Sequence, residues 1–429
     1  MLIALLTWFT ISHENRIRIS SLLLLSFLLK IILGFLLNVN AIMALQHQFL
    51  LSEYDATNYY IKSVYDISTQ NSLLPELHWS VADPGFNYLL YWIGKIYTFC
   101  FEELSISYFH FIYLLIFFHT ITFLIIFIQL EKKYLINKTV LIAFTLIFLF
   151  EPMMLRFALS LEREILVSFL LLLFVIAFMN NKISVMIITS VLLFYFREVY
   201  IYLIPSCILS FIIFRNFFSG RIIMFLLFIF LIFTIIIHLL SSHFENFEYL
   251  VFHHSPSVDM IERSSFGNAI ISSSYFVRVF LYSLLGFFAP VPIYPLFSNT
   301  FATFYIFSFI MGLNSISYLF FNSYVVYSLH KFDCTINNNK IHMKNLHQSI
   351  YKAYIFVFVS HLTFHGLIFN IRHRLQIMPS LIFVFLYILS FQHSNKELRS
   401  KVSMGKCFYM SFMIIISINI FYFILKMLV

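Results

Sequence analysis

Charge is scarce in this chain. Only 11% of its 429 residues are Asp, Glu, Lys or Arg, against about a quarter in ordinary soluble domains. Cysteine is rarer still: Cys100, Cys207, Cys334 and Cys407 lie far apart, with no CxxC pair and no Cys/His cluster. That spacing excludes a disulfide framework and a zinc site of the usual kinds. Nine glycines and no internal repeat argue against a secondary transporter, which is commonly built from repeats with Gly- or Pro-interrupted helices. Basic residues exceed acidic ones by eight, yet they fall in short stretches between apolar runs, so they report membrane orientation rather than nucleic-acid binding. The opening MLIALLTWFTI has no basic region before it and no small-residue cleavage site, so it is not expected to be a removable leader. It reads as a short first span or an interfacial anchor.

What the chain has in abundance is apolar length. Hydrophobic residues make up 61% of it, with 57 Phe, and the mean hydropathy is +0.91. Apolar runs near 20–45, 109–130, 139–155, 165–179, 183–196, 199–214, 222–240, 300–329, 353–371, 375–391 and 407–427 are read against the roughly 20 residues that cross a bilayer. They predict eleven transmembrane helices, or twelve if residues 1–11 also span. The expected fold is all-α, a polytopic helix bundle in which residues 1–429 form a single integral membrane domain with no room for a soluble one.

Orientation follows from Lys and Arg. Segments 12–18, 131–138, 180–182, 215–221, 331–352 and 392–406 hold 16 basic residues against Glu14, Glu131, Asp333 and Glu397, which assigns them to the cytoplasm. Alternation then holds along the chain if 85–101 and 276–292 lie as interfacial or re-entrant helices on the outer face. The outer segments, chiefly 46–108 and 241–299, receive fifteen of the nineteen acids and nine basic residues, seven of them Arg. Arginine suits phosphate better than lysine because its planar fork donates two hydrogen bonds at once. Spans 165–179, 183–196 and 199–214 are short, so Glu162, Arg163, Glu164, Arg197 and Glu198 at their outer ends are expected below the membrane surface, lining a polar cavity.

Two outer stretches carry candidate chemistry. SEYDATNYYIKSVYD (52–66) offers Asp55, with Glu53 and Asp66 read as solvated neighbours, and ADPGFNYLLYWIGKIY (82–97) offers Asp83. In the second stretch Pro84 and Gly85 break the chain before an aromatic helix at the headgroup level. Asp83 is equally read as that helix's cap. His361 and His365 share a helix face without an accompanying acid, so packing or a hydrogen bond is expected there rather than a metal. Asn137 opens an NKT acceptor triplet on the side assigned to the cytoplasm, where it carries no meaning.

An Asp followed by Tyr after the first long span, then an acid-Pro-Gly-Phe step into an aromatic helix, resembles the integral membrane polymerases of O-antigen and capsular polysaccharide. These belong to the wider class of polyprenyl-phosphate-dependent membrane glycosyltransferases. MMLRFALSLEREILVSFLLLL, FFAPVPIYP and RHRLQIMPSLIF are similar to that class's Arg-containing mid-chain segment and its late Pro-rich and Arg-x-Arg segments. The resemblance implies transfer between saccharides carried on polyprenyl diphosphate at the outer face of a bacterial inner membrane, with no cofactor and no metal. A chain-length regulator and a flippase are the protein partners it implies. Asp55 is then the first candidate for the base that takes the acceptor hydroxyl proton, and Asp83 the second. Arg156, Arg163, Arg197, Arg372 and Arg374 are candidate diphosphate and sugar contacts, with Arg263 and Arg278 behind them.

Blander readings stand beside these. Arg372 and Arg374 would anchor a helix end by snorkelling; Arg163 would be neutralised by Glu162 and Glu164, and Arg197 by Glu198. The alternatives for the whole chain are a single-addition transferase using polyprenyl-phosphate sugar, a lipid-linked oligosaccharide flippase or other transporter, and a non-catalytic membrane protein.

Overall fold

The computed structural model describes residues 11, 13–45, 54–69, 84–100, 108–133, 136–196, 303–336, 349–361, 373–394 and 403–428. Among these there is no strand. The helices are α1 His13–Leu45, α2 Tyr54–Thr69, α3 Pro84–Cys100, α4 Tyr108–Lys133, α5 Lys138–Phe150, α6 Pro152–Ala158, α7 Glu164–Met179, α8 Ile183–Phe196, α9 Thr303–Ile336, α10 at 349–361, α11 His373–Ser394 and α12 Met404–Leu428. Three carry stretches long and apolar enough to cross a membrane: Asn15–Gly34, His110–Lys132 and Arg374–Gln392. The bent pair α5 and α6 makes a fourth if taken as one span. The chain falls into two compact units, one holding α1 to α6, α8 and nearly all of α7, the other α10 to α12 and most of α9.

In the first unit α1 and α4 run antiparallel. Asn15 Nδ2 donates to Glu131 Oε1 at 3.0 Å near one end, Lys30 Nζ reaches His119 further along, and Gly34 faces Ile112 near the other end. Later residues of one helix thus meet earlier residues of the other. Between α5 and α6 the chain bends by 48° for a local reason. Pro152 cannot donate a hydrogen bond and pushes Glu151 into extended backbone, so Glu151 ends α5 by donating its N–H to the Ile147 carbonyl at 2.9 Å. Its carboxylate then accepts the Met154 N–H at 2.6 Å and caps α6. The run expected to be one span over 139–155 is therefore broken at Glu151. Asn137, the triplet residue, caps α5 by accepting the Val140 N–H at 2.9 Å.

Two expectations for the 46–108 region need correction. Residues 54–69 form a helix rather than loop, because Tyr59, Ser63, Asp66 and Ile67 recur at helical spacing and are buried together, while Tyr65, Ser68 and Thr69 face outward. Tyr59 packs edge-on against Phe86 of α3, ring centroids 5.0 Å apart. Asp66 is accordingly not solvated: it is 2% exposed.

Gly85 does not break the chain either; it lies inside α3, with Pro84 taking the first helical position that proline favours. A β-carbon on Gly85 would stand 2.7 Å from the backbone oxygen of Tyr195 in α8, so only glycine allows this approach. Tyr88 and Tyr195 stack beside it at 6.3 Å. Gly85→Ala is expected to push α3 away from α8 and destabilise the protein by about 1–3 kcal/mol, the range for overpacking. Thermal unfolding in detergent measures this, and an unchanged midpoint would show that the approach is not needed.

In the second unit α11 is the central element, with every residue from Arg374 to Gln392 buried. Polar side chains stitch the helices of this unit together, as they do between helices with no water to satisfy them. Tyr324 donates to Gln392, whose Nε2 donates to Ser328 at 2.9 Å. Tyr354 donates to Asn322 Oδ1 at 3.1 Å, and Tyr318 Oη lies 2.6 Å from His361 Nδ1. α12 presents Phe408, Tyr409, Met410, Phe412 and Ile424 outward, an apolar surface of the kind that faces lipid.

Candidate functional site

The elbow from Glu151 to Glu164 gathers three acids and two arginines within one bent stretch. Proline at 152 and the short turn at 159–163 prevent one continuous helix, so the side chains of 156 and 162 can fold back on each other. Arg156 Nη2 lies 3.7 Å from Glu162 Oε1, the two side chains 3% and 1% exposed. Ser160 donates to the same carboxylate oxygen at 2.7 Å, and the Arg156 guanidinium sits 4.3 Å from the Phe157 ring centroid. A buried pair of this kind is held by Coulomb attraction in a low dielectric, together with the hydrogen bonds around it.

Arg163 also reaches beyond Glu162 and Glu164, the neighbours expected to neutralise it. It is half-buried, and its Nη1 donates to Tyr59 Oη at 2.9 Å, a hydrogen bond across 104 residues of sequence. Its own carbonyl accepts the Val167 N–H at 3.0 Å and starts α7. The guanidinium is thereby pinned between the elbow and α2.

Of the predicted residues, Arg156 and Arg163 are brought into one segment. Asp55 is the second residue of α2; its side chain lies outside the described residues, and its position is one turn before Tyr59. At about 100° per residue, residues 55, 59, 63 and 66 share one helix face. Asp83, Arg197, Arg263, Arg278 and Arg372 lie outside the described residues, as does His365. Arg374 is in the second unit, 0% exposed. Its Nη1 donates to Ser315 Oγ at 2.6 Å and its guanidinium lies 5.3 Å from the Tyr318 ring centroid. A side chain so enclosed is not snorkelling to headgroups.

Sequence reasoning missed two buried polar sites. Asp66 lies close enough to Tyr91 to affect its ionisation: burial first, then the Asp66 carboxylate, pushes the Tyr91 phenol above its ordinary value. Tyr91 therefore stays a protonated donor at neutral pH, on the α3 face that meets α2. The helical spacing of 59, 63 and 66 was the signal. The other site is Lys30 with His119, and its signal was a lone cation inside an apolar run. Among the described residues no group of three or more His, Cys, Asp or Glu is placed to hold a metal.

The chain matches no protein-family model, no curated protein and no solved structure. Function must therefore be argued from the residues themselves.

Proposed function

We propose that this chain is a membrane glycosyltransferase that joins saccharides carried on polyprenyl diphosphate, working as an O-antigen or capsule polymerase at the outer face of a bacterial inner membrane. The reading takes the remaining apolar runs as further spans, eleven or twelve in all, and keeps the outer assignment of 46–108 and 241–299. Asp55 accepts the proton of the attacking sugar hydroxyl while the lipid diphosphate leaves the anomeric carbon. Arg163 donates to the diphosphate oxygens on which charge accumulates. Arg156 supports this from behind: its charge is engaged by Glu162, and it holds the elbow that positions Arg163. Asp83, Arg197, Arg263, Arg278 and Arg372 stay in the proposal on the resemblance alone. Arg374 stays on the same ground.

The observation that carries the reading is the hydrogen bond from Arg163 to Tyr59. It ties the arginine-bearing elbow to the helix that bears Asp55, one turn away, so the two halves of the chemistry occupy one unit. The test uses the full chain in vesicles with a lipid-diphosphate repeat unit, monitored by product length. A ladder of products supports polymerisation, whereas a single addition selects the transferase using one sugar at a time. Arg163→Ala is expected to lower the rate about 100- to 1,000-fold, the usual loss for one transition-state donor. Tyr59→Phe removes only the tether and is expected to cost about tenfold, the equivalent of one hydrogen bond to a charged group. Wild-type rates in Arg163→Ala would remove the arginine from the mechanism.

A further inference from the structure

Lys30 and His119 lie inside the first unit, on the apolar stretches of α1 and α4, and take no part in the sugar chemistry proposed above. Lys30 is 1% exposed and His119 0%. Lys30 Nζ donates to Ser26 Oγ at 2.9 Å, lies 3.1 Å from His119 Nδ1 and donates to the Phe148 carbonyl at 3.5 Å. The Phe148 ring centroid is 3.9 Å away. A protonated lysine has three N–H donors and no acceptor. Three acceptors and an aromatic face are therefore the full complement of an ammonium ion.

Each packed element contributes one part: α1 the Ser26 hydroxyl, α4 the imidazole, α5 the Phe148 carbonyl and ring. No Asp, Glu, Arg or Tyr is among the partners of either side chain, and Glu131 bonds to Asn15 near the opposite end of the helix pair.

An ammonium at Lys30 sets the tautomer of the histidine. Because the ammonium only donates, Nδ1 must accept, and a neutral ring then carries its proton on Nε2. That nitrogen is fully buried and has no hydrogen-bond partner. The ring is held in place by stacking on Phe148 at 5.5 Å and by Phe123 at 5.1 Å. One ring nitrogen is thus loaded from a proton donor, and the other presents an N–H with nothing to receive it.

We propose that Lys30 and His119 form a proton-relay site in the membrane interior, whose ligand is the proton itself. In the transfer the Lys30 Nζ–H bond breaks and its electron pair stays on a neutral amine, while a His119 Nδ1–H bond forms. The His119 Nε2–H bond then breaks and its proton passes to a water molecule. The amine regains a proton from a second water on the Ser26 side, and the ring returns to its first tautomer when its Nδ1 proton is released to the accepting water and Nε2 takes one back from it. One proton enters, one leaves, and nothing is oxidised or reduced.

The experiment places the full chain in vesicles of phosphatidylethanolamine and phosphatidylglycerol, with a pH dye inside and a potassium diffusion potential imposed by valinomycin. Proton uptake above that of protein-free vesicles is expected. His119→Asn keeps an acceptor near the Nδ1 position, so Lys30 keeps its partner, but it has no second ring nitrogen; uptake should fall at least tenfold. Uptake at the protein-free level in the wild type, or wild-type uptake in His119→Asn, overturns the proposal. Nitrogen NMR of the unmutated, histidine-labelled protein tests it without relying on a variant. A neutral His119 protonated on Nε2 is expected, and a ring protonated only on Nδ1 rules the relay out.

Discussion

Asp55→Asn is expected to lower sugar transfer by about 100- to 10,000-fold, the contribution of a positioned general base, while membrane insertion and helical content stay at wild-type levels. Asparagine matches the carboxylate in size but cannot take the proton of the attacking hydroxyl. The decisive control is Asp66→Asn. Asp66 shares the face of α2 with residue 55 but is buried against α3 near Tyr91, so its replacement should lower thermal stability more than turnover. If Asp66→Asn abolishes transfer in a folded protein and Asp55→Asn does not, the base is Asp66. Product formation from a lipid-diphosphate donor, measured beside the unfolding midpoint of each variant, separates the two.

Glu162→Ala should give the largest loss of stability. It removes the carboxylate 3.7 Å from Arg156, whose side chain is 3% exposed, and breaking one partner of such a buried pair costs about 3–5 kcal/mol. Ser160 also loses the acceptor of its 2.7 Å hydrogen bond. Replacing both charges, in Arg156→Met with Glu162→Met, is expected to recover most of that loss, because two apolar side chains of similar size need no counter-charge. Unfolding midpoints of the two single variants and the double variant form the cycle. Additive losses would mean that the pair does not couple and that the elbow is held by other contacts.

Much of the helical framework was legible because it depends on local composition. The run read at 183–196 is helix over Ile183–Phe196, and the run read at 375–391 lies within His373–Ser394. The break at 180–182 is a turn in which Asn181 takes a left-handed φ of 53°, a conformation asparagine tolerates better than most residues, and the Lys182 N–H donates to the Ala177 carbonyl at 2.9 Å. α2 was not legible by the same rule. Its Thr, Asn and Ser keep it polar on average, and only the helical recurrence of Tyr59, Ser63 and Asp66 marks a buried face.

The elbow illustrates the limit most clearly. Reading charges by adjacency paired Arg163 with Glu162 and Glu164, which leaves out every partner from elsewhere in the chain. The contacts beyond that triplet are Glu162 with Arg156 and Ser160, and Arg163 with Tyr59. No residue of the elbow indicated Tyr59 as a partner, because that partner comes from a helix packed against it.

By itself the sequence determined the helical class, the apolar lengths and the break at 180–182, since each depends on hydrophobicity and backbone freedom within a few residues. Only the tertiary structure decided which polar groups meet. Lys30 finds His119 across 89 residues and Arg163 finds Tyr59 across 104. Such pairings follow from the register at which helices pack, and that register is set by the shapes of whole helix faces rather than by any single stretch of chain.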